Sequence, residues 1–562
     1  MARKESCNTQ YNGLLRNGIE IFQGIPYGQD TGGQNRFKPP RPYKPAQGSI
    51  IEATKPGPAC PQSLGQWFPP ITLGNITAIS EDCLSLNIAR PPMELAKYSL
   101  PVMVWIHGGN FWVGSNNEPT HTPDGMVLES MENGYPVIHV AINYRLGFFG
   151  FAQSETLKKE KSENAGLRDQ RLAIEWVRDN IADFGGDPER ITIFGQSSGG
   201  LAVGMQLLAY GGTKPLPYQR GICESQALEP GITGNFSIDA MAKLIEHIGC
   251  NATVHSPEAI ACLRSKDTQT LFDASFATYV GDIAHNIGDI WLPSVDGDFL
   301  PAAPSELVDQ GRFGNATYIF GWTDGDVNFY TNVSIATADD TRGFIRDYLP
   351  KLENAELIAL LDLYPVGEFA PPPGTNLTAE FYRSARIFRD VLMVCEPIYL
   401  AEAMHKKGMN TYFYHFNQTI LEPIIETLYN VSHIGVIHSS EFAYIYNNLS
   451  IYNVPGYPFN PSESDYQLAK RASSTWSYFA SSGKPSAVSE GLTLQNWNPG
   501  FWRNGQVQPP KPGNTYVYVI GGPGEGFWAL DGEDSNDALE RQRLRERCAW
   551  INSPEIIRKL QY

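Results

Sequence analysis

Two adjacent serines stand between glycines directly after a short apolar run of the sequence. The stretch FGQSSGG, residues 194–200, contains the pattern G-x-S-x-G with Ser197 at its centre. Where this pattern joins a strand to a helix, a strained turn projects the central serine as a nucleophile. Residues 191–194 read as a strand and residues 201–208 as a helix, which is the required context. The pattern therefore predicts that Ser197 attacks an acyl carbon.

A serine hydroxyl becomes nucleophilic only beside a base, and the base in turn needs an acid that orients it. His438 lies in the stretch GVIHSSE, a polar loop before a predicted helix, which suits a catalytic imidazole; His433 is the nearby alternative. The acid is expected after a strand between the serine and the histidine. Asp324 and Asp326 both follow the apolar run at residues 318–320, and the residues alone leave the choice between them open.

Glycines after a strand are a source of the backbone N–H groups that stabilise a negatively charged transition state. The stretch WIHGGNF, residues 105–111, ends an apolar run and carries two such glycines. Ser198 is predicted to be the first residue of a helix, so its amide points at any anion that forms beside Ser197. Together the two segments predict an oxyanion hole.

Apolar, β-rich runs alternate with helical patterns along the chain, which indicates a central, largely buried sheet with helices on both faces. The predicted strands are residues 101–106, 136–143, 191–194, 318–320, 411–416 and 515–520. The predicted helices are residues 167–184, 201–208, 238–248, 378–405, 466–481 and 538–550. The candidate serine, the two candidate aspartates and the glycines of the HGG stretch thus follow predicted strands, where a rigid sheet can position them.

The chain of 562 residues carries a formal net charge of −17, which repels phosphate backbones and anionic lipids. We therefore expect no nucleic-acid partner, and no apolar run is long enough to predict a membrane anchor. Sequons for N-glycosylation indicate a secretory pathway and stand at Asn75, Asn235, Asn251, Asn315, Asn332, Asn376, Asn417, Asn430 and Asn448. The chain begins MARKES without an apolar segment, so we expect that a signal peptide has been removed from a secreted protein.

Seven motifs along the chain are similar to those of the type-B carboxylesterase/lipase family, which includes cholinesterases and secreted fungal esterases and lipases. The motifs are FQGIPY at residues 22–27, EDCLSLN at 81–87, HGG at 107–109, NAGLRDQ at 164–170, FGGDP at 184–188, FGQSSGG at 194–200 and GVIHSSE at 435–441. The resemblance implies an α/β-hydrolase fold, with a central, mostly parallel, twisted sheet and helices on both faces. It also implies one catalytic domain over residues 1–562.

The resemblance assigns roles to the candidate residues. It implies that Ser197 is the nucleophile, His438 the base and Asp326 the acid, because the family's acid lies five residues after a strand-end glycine, here Gly321. Relatives commonly carry glycine where Asn110 stands, so its side chain is expected to narrow the acyl site. The implied oxyanion donors are the amides of Gly109, Asn110 and Ser198. No cofactor and no metal ion are expected.

The same resemblance implies three disulfides among the eight cysteines. They join Cys60 to Cys83, Cys250 to Cys262, and Cys395 to Cys548. Cys223 lies on an apolar run and is expected to be a buried free thiol. Cys7 has no predicted partner.

We predict a hydrolase that cleaves small, soluble carboxylic esters through an acyl-enzyme. A lipase acting on longer-chain lipid esters is the alternative, since the loop between Cys60 and Cys83 holds apolar residues such as Trp67 and Phe68. A cholinesterase is disfavoured, because uncharged Gln196 stands where those enzymes often carry Glu, and the spacing of Trp67 does not match theirs. An inactive binding or adhesion protein is a further alternative, but such relatives typically lack the serine.

Overall fold

The apolar runs pair into one sheet of eleven strands, and a separate sheet of three strands forms near the start of the chain. The computed structural model describes residues 3–6, 9–64, 68–93, 98–286, 290–489, 491–501 and 514–562. The strands are β1 (Arg3–Ser6), β2 (Thr9–Asn12), β3 (Leu14–Arg16), β4 (Ile19–Pro26), β5 (Ile50–Glu52), β6 (Ser85–Arg90), β7 (Leu100–Ile106), β8 (Ile138–Ile142), β9 (Gly186–Gln196), β10 (Arg220–Glu224), β11 (Thr317–Thr323), β12 (Thr411–Phe416), β13 (Tyr516–Ile520) and β14 (Gly526–Ala529). Each predicted strand is present.

The large sheet has the order β14-β13-β12-β11-β10-β9-β7-β8-β6-β4-β3. Its central strands, from β13 to β8, are parallel to their neighbours, and antiparallel pairs flank them on both sides. The strands that follow β7 in sequence lie on its two opposite sides, β8 on one and β9 on the other. In open parallel sheets, ligands bind at the carboxyl ends of strands beside such a reversal. The topology therefore points to the ends of β7 and β9.

Helices connect the strands and cover the sheet. They are α1 (Asp124–Glu132), α2 (Gly147–Phe151), α3 (Glu155–Lys159), α4 (Ala165–Asn180), α5 (Ser198–Leu208), α6 (Phe236–Ile248), α7 (Pro257–Ser265), α8 (Thr268–Asn286), α9 (Pro304–Asp309), α10 (Ala338–Tyr348), α11 (Asn354–Asp362), α12 (Ala379–Arg389), α13 (Cys395–Lys406), α14 (Glu422–Tyr429), α15 (Phe442–Ile445), α16 (Glu463–Ser482), α17 (Asp537–Glu540), α18 (Leu544–Ile551) and α19 (Pro554–Leu560). None of them, in the part of the chain described, has the length and apolar composition needed to span a bilayer.

Two predicted helices are each divided in the structure. The segment predicted at residues 378–405 forms α12 and α13, with a π-helical turn over Asp390–Val394 between them. The segment predicted at residues 538–550 is broken at Arg543, which has φ 48°. A residue in the left-handed region cannot continue a right-handed helix, so α17 and α18 are separate elements.

Strand β7 shows why helices must cover both faces of the sheet. Alternate residues of a strand point to opposite faces. Val104 belongs to one buried apolar cluster and its neighbour Trp105 to another, and neither side chain is exposed to solvent. A strand that is apolar on both faces is typical of a parallel sheet between two helix layers. The expected α/β architecture is therefore confirmed.

Three disulfides join the pairs that the family resemblance implies. They are Cys60–Cys83, Cys250–Cys262 and Cys395–Cys548. The third connects α13 to α18, which are 153 residues apart in sequence. Cys223 is buried and free, as predicted. Cys7 and Trp67 lie outside the described residues.

The end of β7 and the turn after β9 come so close that glycines are required between them. A Cβ atom on Gly199 would lie 2.2 Å from the carbonyl oxygen of Ile106, and a Cβ on Gly195 would lie 2.5 Å from the same atom. These positions are two before and two after Ser197 and are the two glycines of the G-x-S-x-G pattern, so the close approach explains why that pattern needs residues without a Cβ. Neither contact can relax easily, because the opposing atom belongs to the backbone of a central strand.

The sequons differ in how accessible their asparagines are. Asn75, Asn235, Asn251, Asn315, Asn332, Asn376 and Asn430 are exposed. Asn417 and Asn448 are only half-exposed. The amide of Asn417 also lies against the backbone of Gly522, where an added Cβ would be 3.0 Å from its Nδ2 atom.

We predict that Gly199→Ala destabilises the protein, because its Cβ meets the carbonyl of Ile106. Overpacking of this kind typically costs about 1–3 kcal/mol. The matched control is Gly343→Ala in α10, where nothing lies within 4 Å of an added Cβ. Thermal unfolding should show a lower Tm for Gly199→Ala and an unchanged or higher Tm for Gly343→Ala. Equal Tm values for the two variants would contradict the close contact.

We predict that glycan occupancy, in a eukaryotic secretory host, follows the exposure of the asparagines. Peptide mapping by mass spectrometry should find glycans at exposed sites such as Asn235 and Asn332, and little or none at Asn417. High occupancy at Asn417 together with bare exposed sites would contradict this ranking.

Candidate active site

Ser197 lies at the junction of β9 and α5 with a strained backbone, at φ 62° and ψ −128°. Three hydrogen bonds hold this conformation. The Ser197 N–H donates to the carbonyl of Glu224 over 2.9 Å, and its carbonyl accepts from Leu201 and Ala227 over 2.9 and 3.3 Å. A strained residue persists only where its surroundings fix it, and such residues cluster at active sites. The turn has the geometry that the G-x-S-x-G pattern predicts.

The predicted base and the predicted acid are hydrogen-bonded to each other. The Nδ1 atom of His438 lies 2.6 Å from Oδ1 of Asp326, and both side chains are buried. The other carboxylate oxygen of Asp326 accepts from the N–H of Thr323 over 2.8 Å. The two loops that carry these residues are joined by an isolated parallel bridge between Gly325 and Ile437. This bridge places the next residue of each loop, Asp326 and His438, side by side.

The second aspartate of the acid loop has other partners. Oδ1 of Asp324 lies 3.5 Å from Arg386, 3.9 Å from Arg389 and 3.6 Å from Nε2 of His415. Burial lowers the pKa of His415 to about 4, so this imidazole is neutral at ordinary pH. Asp324 therefore belongs to an arginine cluster, while Asp326 contacts His438.

The predicted oxyanion segment folds into a tight left-handed turn after β7. Gly109 has φ 105°, Asn110 φ 56° and Phe111 φ 54°. The carbonyl of Gly109 accepts from the N–H groups of Trp112 and Val113 over 2.8 and 3.0 Å. A Cβ on Gly108 would lie 3.0 Å from that of Ser197, so this segment lies against the serine turn.

A side chain links the oxyanion segment to the nucleophile helix. The hydroxyl of Ser198 accepts from the N–H of Phe111 over 3.1 Å. The hydroxyl of Tyr144 donates to the carbonyl of His107 over 2.7 Å, and the two rings stack at 4.5 Å. Burial lowers the pKa of His107 to about 4. The segment is thus held by neutral hydrogen bonds on both sides.

The ring nitrogen of His438 that does not contact Asp326 forms a hydrogen bond with another side chain. Nε2 of His438 lies 2.9 Å from Nε2 of Gln196, which precedes the serine. Among the described residues, Oγ of Ser197 makes no hydrogen bond of its own. The structure therefore brings the acid and the base together, and places the serine in the same cavity without a bond to the base.

A cavity of about 80 Å³ contains these groups. Its walls are formed by residues of six segments of the chain, which are Ile71, Thr72, Trp105, His107, Gly108, Gly109, Asn110, Val113, Gly114, Glu118, Thr120, His121, Gln196, Ser197, Tyr330, His438, Ser439 and Phe442. Asn110 lines this cavity but is otherwise exposed, and the ring of Tyr330 lies 5.5 Å from that of His438.

One wall of the cavity comes from the loop between Cys60 and Cys83, and Glu118 holds it there. Oε1 of Glu118 accepts from the N–H of Leu73 over 2.7 Å, and Oε2 accepts from Gly74 over 3.1 Å. The same loop is fixed at Pro69, whose carbonyl accepts from the hydroxyl of Tyr429 over 2.6 Å. The shape of the cavity therefore depends on residues remote from the serine in sequence.

Two buried acids are coupled to each other, and one of them, Glu441, is also coupled to Asp326. Both carboxyl oxygens of Glu441 lack a hydrogen-bond partner within the described part of the chain. Burial, with the charges of Asp326 and Glu224, raises the pKa of Glu441 well above its usual range. Burial also raises the pKa of Glu224 to about 8, although its Oε1 accepts from Trp476 over 2.8 Å. Glu224 is therefore mainly protonated at neutral pH, and burial disfavours the charged form of Glu441 as well, which limits charge repulsion around Asp326.

Several of these residues carry no signal that sequence reasoning could use. At Gln196 the sequence shows only an uncharged residue, and nothing in the sequence indicates a role for Glu118. Glu441 stands in the GVIHSSE stretch, but its burial beside Asp326 depends on the packing of α15. The Ser198 hydroxyl has the plainest signal, since it is the second serine of FGQSSGG.

Comparison with known proteins places the chain in a family. The model of the carboxylesterase family matches residues 8–508. The chain is 50% identical over 553 residues to a secreted lipase of Arthroderma benhamiae, covering 98% of this chain and 94% of that one. It is 34% identical over 570 residues to the inactive carboxylesterase-like protein VdtD of Byssochlamys spectabilis, covering 98% and 93%.

The same fold occurs in a solved structure. The crystal structure of EstA from Aspergillus niger superimposes with a TM-score of 0.77 at 22% identity, and the alignment covers 99% of this chain and 98% of that one. The superposition supports the α/β-hydrolase fold, and the sequence matches extend over nearly the whole chain. The protein belongs to the carboxylesterase family and is a carboxylic ester hydrolase.

Proposed function

We propose that the protein hydrolyses carboxylic esters through a covalent acyl-enzyme, with Ser197 as nucleophile, His438 as general base and Asp326 as the orienting acid. The observation that carries this proposal is the 2.6 Å contact between Asp326 and His438, since His438 lines the same cavity as Ser197. With Asp326 accepting its Nδ1–H, neutral His438 presents the lone pair of Nε2 toward the serine side of the ring. This is the tautomer that a general base requires.

In the first step, Nε2 of His438 takes the proton of the Ser197 hydroxyl while Oγ bonds to the carbonyl carbon of the ester. The negative charge moves to the carbonyl oxygen, where the amides of Gly109, Asn110 and Ser198 would receive it. The bond to the leaving oxygen then breaks, and the alkoxide takes the proton from His438. Water repeats the sequence on the acyl-enzyme, which releases the acid and restores Ser197.

We predict that Asp326→Asn lowers kcat on the order of 10³–10⁴-fold, because Asn would stabilise the wrong tautomer of His438. The matched control is Asp324→Asn, two residues away, which contacts arginines and not His438. This control should retain most of its activity on a p-nitrophenyl ester if it folds with the same Tm.

Covalent labelling of the serine completes this test. A fluorophosphonate should label the parent protein at Ser197 and should not label Ser197→Ala, which should also lose nearly all turnover. A parent protein that neither labels nor hydrolyses esters would instead support the inactive binding role. That outcome has a precedent, since the relative VdtD is an inactive carboxylesterase-like protein.

We expect small, soluble esters to be the preferred substrates, because the cavity beside Ser197 has a volume of only about 80 Å³. A specific observation favours lipid esters as a second candidate. Phe68 and Tyr429 are exposed near the cavity, and each ring packs 5.0 Å from that of Phe329, which is next to the cavity residue Tyr330. An exposed apolar rim is typical of a surface that meets lipid. The Arthroderma benhamiae relative is a secreted lipase.

We predict that kcat/KM on p-nitrophenyl esters falls as the acyl chain grows from acetate to palmitate, because a long chain exceeds the cavity. Phe68→Ser should leave turnover of the acetate ester unchanged. A sharp rise in rate when a long-chain triglyceride exceeds its solubility, lost in Phe68→Ser, would favour the lipase. The loop that holds Phe68 is anchored by Glu118, so the variant should keep the cavity wall.

We propose that the protein is secreted. Seven sequon asparagines are exposed and three disulfides are formed, which fits an oxidising, glycosylating compartment. Glycan mapping of the protein purified from its own source tests this proposal, since a chain without any glycan would argue against secretion.

A further inference from the structure

Gln196 and Ser197 are neighbours in sequence, yet both side chains line the same cavity. Successive residues of a strand normally point to opposite faces. At Ser197 the positive φ turns the backbone, so that the side chain of the last residue of β9 lies beside the nucleophile. Gln196 is 3% exposed, and its amide reaches His438.

The hydrogen bonds of His438 decide which group donates in this contact. A neutral imidazole has one N–H and one lone pair. Nδ1 uses the N–H to donate to Asp326, so Nε2 carries the lone pair. The N–H of the Gln196 amide therefore donates to Nε2 over 2.9 Å. That lone pair is the one that must later take the serine proton.

We propose that Gln196 is a positioning residue whose amide holds Nε2 of His438 in the resting enzyme and then turns over to accept the N–H of the imidazolium. This inference rests on the function proposed above. A glutamine amide can serve in both states, because its NH₂ group donates a hydrogen bond and its oxygen accepts one. The NH₂ group and the oxygen also have nearly the same shape. The torsion that exchanges them is broad and roughly two-fold.

The contact also means that Gln196 and Ser197 compete for one lone pair. In the resting structure Gln196 holds it, and Oγ of Ser197 makes no hydrogen bond with the described residues. Substrate must therefore bring Ser197 to Nε2 as it displaces the amide. When His438 becomes charged, the oxygen of the displaced Gln196 amide can accept a hydrogen bond from the Nε2–H group. It does so until the leaving group takes the proton.

An amide adds no charge at this position, where the imidazole already contacts the carboxylate of Asp326. The titratable groups that line the cavity beside His438 are Glu118, His107, His121 and Tyr330. The groups coupled to Asp326 are Glu441, Tyr414, His415 and Arg389, and Glu224 is coupled to Glu441. Glu224 and Glu441 are fully buried, and a further carboxylate beside them would repel Asp326. Gln196 can bond to both forms of His438 without adding charge.

The test uses three variants of the full chain. Gln196→Glu keeps the shape and adds a charge that favours the protonated imidazole. Gln196→Met keeps the length and removes hydrogen bonding. The control Gln206→Met removes another buried glutamine, on α5, whose Nε2 donates to the carbonyl of Leu167 over 2.8 Å and which has no part in the site.

Two profiles are measured against pH for each protein, kcat/KM on a p-nitrophenyl ester and the rate of inactivation by a fluorophosphonate. An opposite charge within 4–6 Å shifts the pKa of a neighbouring group by about one unit or more, in favour of its charged form. In Gln196→Glu the acidic limb of both profiles should therefore move to higher pH by about one unit. Its kcat on the alkaline plateau should stay within a few-fold of the parent value, because the carboxylate accepts from the imidazolium.

In Gln196→Met, kcat should fall on the order of 10-fold with KM nearly unchanged, since an interaction made in the charged state has been removed. Gln206→Met should leave both profiles in place, whatever its Tm. The proposal is overturned if the acidic limb of Gln196→Glu coincides with that of the parent, or if Gln196→Met keeps the parental kcat.

Failure of the proposed function would look different. A parent protein whose Ser197 takes no fluorophosphonate label refutes the acyl-enzyme itself. A parent that labels and turns over, with unshifted variants, refutes only the role of Gln196. If Gln196→Glu does not fold, Gln196→Met decides the question alone through its kcat and KM.

Discussion

The rest of the site depends on the backbone of one residue, Ser197, held at a φ of 62° between a strand and a helix. Such a conformation costs on the order of 1–3 kcal/mol and cannot persist by itself. Here the carbonyl of Glu224, in the neighbouring strand β10, accepts from the N–H of Ser197. The carbonyl of Ser197 accepts from the N–H groups of Leu201 and Ala227. Glycines at 195 and 199 allow β7 to approach within contact. The strained conformation of Ser197 therefore depends both on the hydrogen bond from the adjacent strand and on the two glycines.

A second constraint fixes the partners of the serine. The acid loop follows β11 and the histidine loop lies more than a hundred residues later, so loop entropy opposes any fixed distance between them. The single bridge between Gly325 and Ile437, with Asn328 donating to the carbonyl of Ile434 over 2.8 Å, removes that freedom. The residue after each bridging position then forms the Asp326–His438 contact without further adjustment. Positioning of this kind is what converts separate groups into an effectively intramolecular reaction.

The sequence is most informative where local pattern and global fold agree. The central strands were predictable, because buried parallel strands read as apolar runs, and the serine turn follows from its glycines. Strand β10 was not, since it begins with Arg220 and ends with the buried acid Glu224. Asp324 and Asp326 are chemically identical, so only the spacing of family motifs could distinguish them in the sequence. In the structure, Asp324 is distinguished by its contacts with arginines of α12 and a histidine of β12. The contact of Gln196 with His438 depends on a backbone turn that reverses the usual alternation, so no strand periodicity could predict it.

The electrostatics of the cavity follow from its burial. The histidines around the oxyanion segment, His107, His121 and His139, all have lowered pKa values because burial penalises their charge. The carboxyl groups Glu224 and Glu441 have raised pKa values for the same reason. The surroundings are thus close to neutral although many titratable groups are present, and a charge that forms in the reaction is felt strongly in so dry a place. A proton that moves from Ser197 to His438 would then be stabilised by the two groups in contact with that ring, the carboxylate of Asp326 and the amide of Gln196. Fixed dipoles and the carboxylate beside the imidazole therefore stabilise the charges of a tetrahedral transition state more strongly here than they would in water.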